Sequence, residues 1–283
     1  MLLLLKDIRR TRLDEGGFKM AELGYETVGM KVYNKNIWEF CNSNRFLVSV
    51  VVVTHQREYN LGECLYSIVN QKTDFDFEIV IVDDASTDST EKTVERECAE
   101  FIQNKRLKYI KICTRLGYTK PSYIGAAAAD GEIIIFQPSD MISIKAGGIL
   151  QDQCLQKLVT ALDTKTVAAF AGGCRIFNKN PEGWRNNPEV MKWWASDDFT
   201  GKTYANTKGE AWFALGAIRW VDYRAITDFR APFPDSRVSA KLNQDGREIK
   251  FLEDVICVHI PHKSSNLEGL SQHWWASGLP EPF

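Results

Sequence analysis

The chain has 283 residues, of which 44% are hydrophobic, 11% aromatic and 25% charged, a composition that excludes a disordered chain, a collagen and a coiled coil. Its 35 basic and 37 acidic residues give a net charge of -2, so no overall basic field is available to hold nucleic acid or an anionic membrane. No apolar run approaches the roughly 18–20 residues that span a bilayer, and the scattered cysteines include no CxxC pair. We expect a cytoplasmic protein without an integral membrane segment, either free or peripheral at a membrane through a partner.

Strand-like and helix-like segments alternate from residue 46 onward. Short runs rich in valine and isoleucine predict buried strands at residues 47–53, 78–82, 107–113, 132–136 and 167–171. Apolar residues at helical spacing predict helices at residues 60–71, 91–104, 120–130 and 148–162. This alternation predicts an α/β fold with a mostly parallel, Rossmann-like central sheet and helices on both faces.

The second half of the chain is less regular and rich in tryptophan. Residues 211–223 are strand-like, and residues 236–244 are predicted as a helix that Gly246 closes. Two further short strands are predicted at residues 249–252 and 255–258.

Polar residues follow each of the first four predicted strands. Because ligands of parallel sheets bind at the carboxyl ends of the strands, these segments are the candidate site: residues 54–58, 83–88, 115–117 and 138–140. The sequence contains no P-loop, no GxGxxG after a strand and no HExxH. A polyphosphate ligand would therefore depend on carboxylates that hold a divalent metal.

Three sequence runs resemble the family 2 glycosyltransferases of the GT-A fold: VVVVTHQRE at 50–58, CLYSIVNQ at 64–71 and EIVIVDDASTD at 78–88. The resemblance is close over residues 47–142, loose over 143–262 and absent before residue 47. It implies a GT-A domain with a smaller acceptor-side subregion. It also implies an inverting enzyme that moves a sugar from a nucleotide-sugar donor, a UDP-sugar by this resemblance, to an acceptor hydroxyl.

The chain is predicted to have four parts, two of which are covered by the resemblance. Residues 1–46 form an N-terminal extension, and residues 47–142 form the nucleotide-sugar-binding half. Residues 143–262 form the acceptor-binding and catalytic half, and residues 263–283 form a C-terminal tail that could fold over the donor as a lid.

The resemblance assigns the nucleotide to residues after the first two strands. Thr54, Arg57 and Glu58 would line the uridine site, and Asp83 or Asp84 would accept a hydrogen bond from the uracil ring N–H. We favour Asp84, because the first position of the pair is more variable in the family. A carboxylate that accepts from an imide N–H makes a charge-assisted hydrogen bond. The alternative is that these acidic residues only cap the helix that follows.

A glycine-containing run before the fourth strand resembles the family's G-x-x-x-A-x-N-x-G signature and extends from Gly117 to Gly125. The resemblance adds Gly117 to the nucleotide-binding residues. Arg115 or Lys120 could reach the diphosphate, and the alternative is that both are solvated charges at a helix end.

The family's D-x-D metal motif is represented here by Pro138, Ser139 and Asp140, so the first aspartate is absent. The resemblance implies that Asp140 ligates Mn²⁺ or Mg²⁺ and that Ser139 contacts the nucleotide. Phosphate oxygens, waters and His259 would complete an octahedral shell.

The family's catalytic base lies in an E-D pair at the start of a helix in the second half. Here the pair reads Pro234 and Asp235, so the resemblance assigns Asp235 as the general base that deprotonates the acceptor hydroxyl. Asp235 could instead serve only as a helix N-cap. Asp197, Asp198 and Glu210 are the alternative bases.

The acceptor site is assigned to Arg219 and Trp220, because the family's acceptor-side segment runs through this region. The sequence does not distinguish among four kinds of acceptor: a surface glycan, a lipid-linked sugar, a protein and a modified nucleic-acid base. It does not indicate the oligomeric state either.

Two other functions fit the sequence pattern. One is a non-catalytic sugar- or nucleotide-binding module, which the losses in the two acidic motifs suggest. The other is a nucleotidyltransferase, although no phosphate loop follows the first strand.

Overall fold

A computed structural model describes residues 30–32, 46–58, 60–143, 150–176, 203–205, 215–227 and 235–259. The strands in these parts of the chain are β1 (Met30–Val32), β2 (Val48–Thr54), β3 (Phe77–Asp84), β4 (Leu107–Ile112), β5 (Ile133–Phe136), β6 (Met141–Ile142), β7 (Thr166–Ile176), β8 (Thr203–Ala205), β9 (Gly216–Arg219) and β10 (Glu248–His259). The helices are α1 (Leu61–Val69), α2 (Thr90–Glu97), α3 (Ala99–Gln103), α4 (Thr119–Ala128), α5 (Cys154–Thr160), α6 (Trp220–Ile226) and α7 (Asp235–Gln244).

The strands form one sheet in the order β1-β4-β3-β2-β5-β9-β7-β10-β6, with β8 paired to β7. Strands β4, β3, β2 and β5 are parallel to one another, and β7 is parallel to β10. Strand β9 runs antiparallel between β5 and β7. The α/β fold with a mostly parallel central sheet is therefore confirmed, and β1 shows that part of the predicted N-terminal extension joins the sheet beside β4.

Helices cover both faces of the sheet, which explains why its central strands are continuous apolar runs. Side chains alternate between two faces along a strand, so Val50 joins a core with Leu65 of α1, and Val51 joins a second core with Ile124 of α4. Helices α1, α2, α3 and α5 cover the first core, and α4, α6 and α7 cover the second. A strand that is buried on both faces has no polar side to show in its sequence.

Several predicted elements differ from the structure, among them two helices and the strand-like segment at 211–223. The predicted helix at 91–104 is divided at Cys98 into α2 and α3, because Cys98 has φ -107 and ψ 20 and leaves the helical conformation. The predicted helix at 148–162 is described only as α5. The strand-like segment at 211–223 contains β9 and the start of α6, since the chain turns into a helix at Trp220.

Residues 249–252 and 255–258 belong to one strand, β10, rather than to two. A register shift between Leu252 and Ile256 interrupts its pairing with β7. Gly172 of β7 faces this irregularity, and a Cβ there would lie 2.6 Å from the backbone of both Leu252 and Glu253. Strand β10 therefore bulges toward β7, and the close approach requires a glycine at position 172 of β7.

A buried ion pair holds the amino edge of the parallel strands. Lys108 Nζ lies 3.0 Å from Glu78 Oε2 and 2.7 Å from Asp130 Oδ2. Ser49 Oγ donates to Glu78 Oε1 at 2.6 Å and accepts from the Gly131 amide at 2.8 Å. These contacts link the turn before β5 to the starts of β2, β3 and β4, at the edge of the sheet opposite the predicted site. None of the helices in the described ranges is both long and apolar enough to cross a bilayer.

Candidate functional site

The loops after β2, β3, β4 and β5 meet at the carboxyl edge of the parallel strands. Thr54 at the end of β2 pairs in register with Asp83, and Asp84 pairs with Ile112 at the end of β4. Thr54 is only 1% exposed, and its Oγ1 has no hydrogen-bond partner among the described residues. Parallel strands thus bring together most of the predicted nucleotide-binding residues, as the sequence pattern predicted.

Gln56 joins the first two loops. It has φ 52, in the left-handed region. Its Nε2 donates to Thr87 Oγ1 at 2.9 Å, and its Oε1 accepts from the amides of Thr87 at 3.0 Å and Asp88 at 3.1 Å. Gln56 belongs to the predicted segment 54–58, but its role could not be predicted, because nothing in its local pattern shows that its partners lie about thirty residues away.

Glu58 and Asp88 fix the start of α2. The Ser89 amide donates to Glu58 Oε2 at 2.9 Å, while the Glu58 amide donates to Asp88 Oδ2 at 3.1 Å. Asp88 Oδ1 also accepts from the amide and the hydroxyl of Thr90. Asp88 therefore has the capping role given as the alternative. Glu58 shares this arrangement, because its carboxylate accepts from an amide at the start of α2.

Asp83 is wholly buried and both of its oxygens are occupied. Oδ1 accepts from the Ser86 amide at 2.8 Å, and Oδ2 accepts from the Tyr109 hydroxyl at 2.5 Å. Burial and the neighbouring Asp83 carboxylate raise the pKa of Tyr109, so the phenol stays protonated and donates. Lys111 Nζ lies 3.8 Å from the same oxygen. These contacts give Asp83 a structural role and argue against its assignment to the uracil ring.

Asp84 holds the loop that precedes α4. Its Oδ1 accepts from the Leu116 amide at 2.7 Å and its Oδ2 from the Gly117 amide at 2.9 Å. Gly117 has φ 80, which glycine adopts without strain. Burial raises the pKa of Asp84, and the two amide donors, His55 and Arg115 oppose this shift. Because a carboxylate offers about four lone-pair sites, one ring N–H can still be accepted.

Arg115 and Lys120 lie on either side of Gly117. Arg115 is exposed in the loop after β4, and Lys120 is half-buried in the first turn of α4. Both are therefore at the carboxyl edge, where basic groups were predicted for a diphosphate, and the charge of Arg115 acts on Asp84.

A tight turn follows β5 and presents Ser139 and Asp140. The carbonyl of Pro138 accepts from the Met141 amide at 3.1 Å, from Gln137 Nε2 at 3.3 Å and from Cys64 Sγ at 3.4 Å. These three donors fix the backbone at the position where the family has its first aspartate. Asp140 is thus the one carboxylate that this turn offers.

Arg57 forms an ion pair with Asp140. Its Nη2 lies 2.9 Å from Asp140 Oδ2, and the two side chains are 15% and 12% exposed. The second terminal nitrogen, Nη1, is buried and has no hydrogen-bond partner in the described parts of the chain. Cys64 lies beneath this pair, and burial, together with the Asp140 charge, raises the pKa of its thiol. Arg57 is therefore placed at the predicted metal motif.

The described side chains are too few to coordinate a metal ion by themselves, so a bound substrate would have to supply the remaining ligands. They include no group of three or more His, Cys, Asp or Glu side chains that could hold an ion. In the backbone register of β6 and β10, His259 pairs with Met141, next to Asp140; the His259 side chain is outside the description. Because Mg²⁺ is commonly bound by one or two carboxylates together with substrate phosphates and waters, Asp140 is a sufficient protein ligand for that arrangement.

Asp235 is the first residue of α7, one residue earlier than the predicted helix start. Val238 and Leu242 bury one side of α7 against the sheet. The chain then reverses at Gly246, and β10 begins beside Thr166 at the amino edge. Ten residues of α-helix rise about 15 Å, so the backbone directs Asp235 toward the carboxyl edge. Its side chain, Asp197, Asp198 and Glu210 lie outside the description.

Arg219 and Trp220 are not brought together with the other predicted residues. Because β9 is antiparallel to β5, Arg219 pairs with Ile133 at the amino edge, opposite Asp84 and Asp140. Arg219 Nε donates to Asp222 Oδ2 at 2.6 Å, and the Trp220 ring lies 6.2 Å from that of Tyr123. The structure thus places both residues away from the other predicted site residues, and their assignment to the acceptor site stays a prediction.

Comparisons with known proteins agree with this geometry. The family model described as Glycosyl transferase family 2 matches residues 49–229. The chain is 38% identical over 96 residues to poly(ribitol-phosphate) beta-N-acetylglucosaminyltransferase TarS of Staphylococcus aureus, which is 32% of this chain but only 16% of TarS.

Two solved structures resemble the fold. Mannosyltransferase PcManGT from Pyrobaculum calidifontis, in complex with GDP-Man and Mn²⁺, has a TM-score of 0.55 at 21% identity over 79% of this chain and 59% of its own. S. aureus TarS 1–349 in complex with UDP-GlcNAc has a TM-score of 0.51 at 20% identity over 78% of this chain and 60% of its own. These likenesses show the GT-A-like α/β architecture, and this chain spans only part of each relative.

Proposed function

This chain belongs to glycosyl transferase family 2, and from that premise we propose that it transfers a sugar from a nucleotide-sugar donor to an acceptor hydroxyl with inversion at the anomeric carbon. The observation that carries the proposal is the convergence of Thr54, Asp84 and Asp140 at one edge of the sheet. In this proposal residues 47–142 bind the donor and residues 143–262 bind the acceptor.

The proposed donor is a UDP-hexose or a UDP-N-acetylhexosamine. The similarity to TarS, an N-acetylglucosaminyltransferase by its name, supports the N-acetylhexosamine, while the GDP-Man of PcManGT makes GDP the alternative nucleotide. Asp84 would accept the uracil ring N–H, since its two oxygens each retain a free lone pair beside the loop amides. Thr54 ends β2 at the same edge of the sheet, and its hydroxyl, which has no hydrogen-bond partner among the described residues, is available to the donor.

Asp140 would hold Mn²⁺ or Mg²⁺ together with the donor's phosphate oxygens, and His259 is the second candidate ligand. A bound divalent metal supplies charge stabilisation for the diphosphate that leaves. Arg115 and Lys120 are the cationic side chains that would share this negative charge.

Asp235 would remove the proton of the acceptor hydroxyl as that oxygen attacks the anomeric carbon. The new bond forms as the anomeric carbon–oxygen bond to the diphosphate breaks, so the products are the glycosylated acceptor and a nucleoside diphosphate. The order of α7 and β10 supports this assignment, because the chain passes from the end of α7 to the amino edge and Asp235 is at the other end of the helix.

Nucleotide binding can be tested by thermal shift with UDP and with GDP, each with and without Mn²⁺. Ligand at 100 times its Kd stabilises the native state by about 2.7 kcal/mol. We expect UDP to raise the melting temperature and Mn²⁺ to increase that rise. The Mn²⁺-enhanced rise should be lost in Asp140→Asn. Asp254→Asn is the matched control, because Asp254 is a carboxylate paired with Lys157 on the far part of the sheet. The absence of any shift with either nucleotide would contradict the proposal.

Turnover distinguishes the enzyme from a nucleotide-binding module. The module is a second candidate because the one motif carboxylate, Asp140, is paired with Arg57. Release of UDP from UDP-sugars should fall about 10²–10⁴-fold in Asp235→Asn, as expected for loss of a general base, while UDP binding is retained. Asp245→Asn, at the other end of α7 and paired with Lys241, should keep its activity. Binding without turnover of any donor would favour the module.

A further inference from the structure

We infer that Arg57 is a built-in counter-cation for Asp140, which a divalent metal displaces when it binds together with the nucleotide, and which then donates to the donor's diphosphate. This inference rests on the proposed function, because it concerns the same site. Arg57, which the family resemblance assigned to the uridine site, is thereby assigned to the diphosphate.

The first observation is the ion pair itself. Arg57 Nη2 and Asp140 Oδ2 are 2.9 Å apart, and both side chains are largely shielded from water. Partial burial strengthens an ion pair because less water screens it. A metal ion at the same carboxylate oxygen would face the guanidinium at short range, so the two cations compete for Asp140.

The second observation is a set of buried polar groups that lack partners. Arg57 Nη1, Thr54 Oγ1 and both side-chain atoms of Asn60 have no hydrogen-bond partner among the described residues. Thr54 and Asn60 are each only 1% exposed and mark the two ends of the loop that carries Arg57. Buried polar groups are nearly always hydrogen-bonded, so this loop is arranged for a polar ligand. A guanidinium fork suits phosphate oxygens in particular.

The third observation concerns charge. The position of the family's first metal-binding aspartate is occupied by Pro138, and the Pro138 carbonyl is already held by Cys64, Gln137 and Met141. The turn therefore offers one negative charge, which a single guanidinium neutralises. A divalent metal has enough negatively charged ligands at this turn only when the diphosphate binds with it. Arg57 therefore disfavours binding of the metal alone but permits binding of the metal–nucleotide complex.

The test is Mn²⁺ binding to the full chain, measured by calorimetry without nucleotide and then with saturating UDP. Arg57→Gln removes the charge, and Arg57→Lys keeps it but loses the fork. Arg96→Gln is the matched control, since Arg96 is exposed on α2 and pairs with Glu97. We expect Arg57→Gln to bind Mn²⁺ alone about tenfold more tightly than the wild type, because one competing charge beside the carboxylate is gone.

Three further results are expected. Arg57→Gln and Arg57→Lys both bind UDP more weakly than the wild type in the presence of Mn²⁺. The double variant Arg57→Gln/Asp140→Asn loses the gain in Mn²⁺ affinity, and Arg96→Gln behaves as the wild type. If Arg57→Gln does not fold, Arg57→Lys carries the test through its UDP affinity.

Unchanged Mn²⁺ affinity in Arg57→Gln would overturn the inference, as would a gain that persists in the double variant. For Arg57→Lys, UDP affinity equal to that of the wild type would overturn it. These failures differ from failure of the proposed function, in which the wild type itself binds no nucleotide with Mn²⁺ present.

Discussion

Asp83 and Asp84 are adjacent in sequence, but their carboxylates accept hydrogen bonds on opposite faces of the sheet. Asp83 accepts from the Tyr109 hydroxyl, whose ring belongs to the core beneath α1, α2 and α3. Asp84 accepts from the amides of Leu116 and Gly117, which lead into α4 on the other face. One residue of the pair therefore secures the end of the sheet, and its neighbour shapes the candidate donor site.

This division predicts different effects for two matched substitutions. Asp83→Asn and Asp84→Asn should each lower the free energy of unfolding by about 1–3 kcal/mol, because each leaves a buried donor without its acceptor. Only Asp84→Asn should also weaken UDP binding, by tenfold or more on the scale of a lost charge-assisted hydrogen bond. Denaturant unfolding and calorimetric titration of the folded variants measure the two effects. Equal UDP affinities in the two variants would contradict the assignment of Asp84.

The raised pKa of Asp84 predicts a pH-dependent stability. Burial raises the native pKa above the ordinary value of about 3.9, so the native state binds more protons than the unfolded state between the two values. The contribution of Asp84 to stability is therefore complete below pH 3.9 and is lost as the pH rises through the native pKa. Unfolding curves of the wild type and Asp84→Asn between pH 4 and 7 should converge as the pH rises. Parallel curves would show that Asp84 does not titrate in this range.

Lys108 predicts a large stability effect at the opposite edge of the sheet. Lys108→Met should lower the free energy of unfolding by about 3–5 kcal/mol, because it leaves the buried Glu78 carboxylate without its cation. Adding Glu78→Gln should recover part of this loss. Lys157→Met is the control, since its pair with Asp254 is exposed and such pairs contribute about 1 kcal/mol or less. Similar losses in the two single variants would be inconsistent with a buried pair.

Gly125 predicts a steric effect where α4 packs on the sheet. A Cβ at Gly125 would lie 2.5 Å from Val51 Cγ1 and 3.0 Å from Val82 Cγ2. Gly125→Ala should therefore destabilise by about 1–3 kcal/mol, although alanine is the better helix former. Combination with Val51→Ala should be less than additive, because the second change makes room. In α1, the Cβ of Gly62→Ala would meet the ends of the Glu97 and Arg96 side chains. Because these flexible ends can shift, the substitution should be neutral or stabilising by up to about 1 kcal/mol.

The sequence was sufficient to predict the central strands and the edge that carries the site. Burial on both faces makes β2 and β3 unbroken runs of valine and isoleucine, and parallel topology then gathers the residues that follow them. The direction of β9 could not be predicted, since a short apolar strand reads the same whether it is parallel or antiparallel. The position of Arg219 at the amino edge could therefore not be predicted.

Contacts between distant residues were also beyond the sequence. Arg57 and Asp140 are 83 positions apart, and each was assigned to a different part of the site. Asp83 and Asp84 could not be distinguished by pattern alone, because the alternation of a buried strand hides which face carries a ligand. In each case the deciding fact is the partner that the fold brings to the side chain.

The entry of β9 has a consequence for how such a protein can change over evolution. Strand β7 leaves the sheet at the carboxyl edge after Ile176, and β9 enters it at the same edge at Gly216, whose missing Cβ leaves room for the Phe170 ring. Strands β2 to β5, which position Asp84 and Asp140, all precede the stretch between Ile176 and Gly216 in the chain. Under the proposed function, we expect changes in that stretch to alter the acceptor that is used while the donor-binding strands are retained.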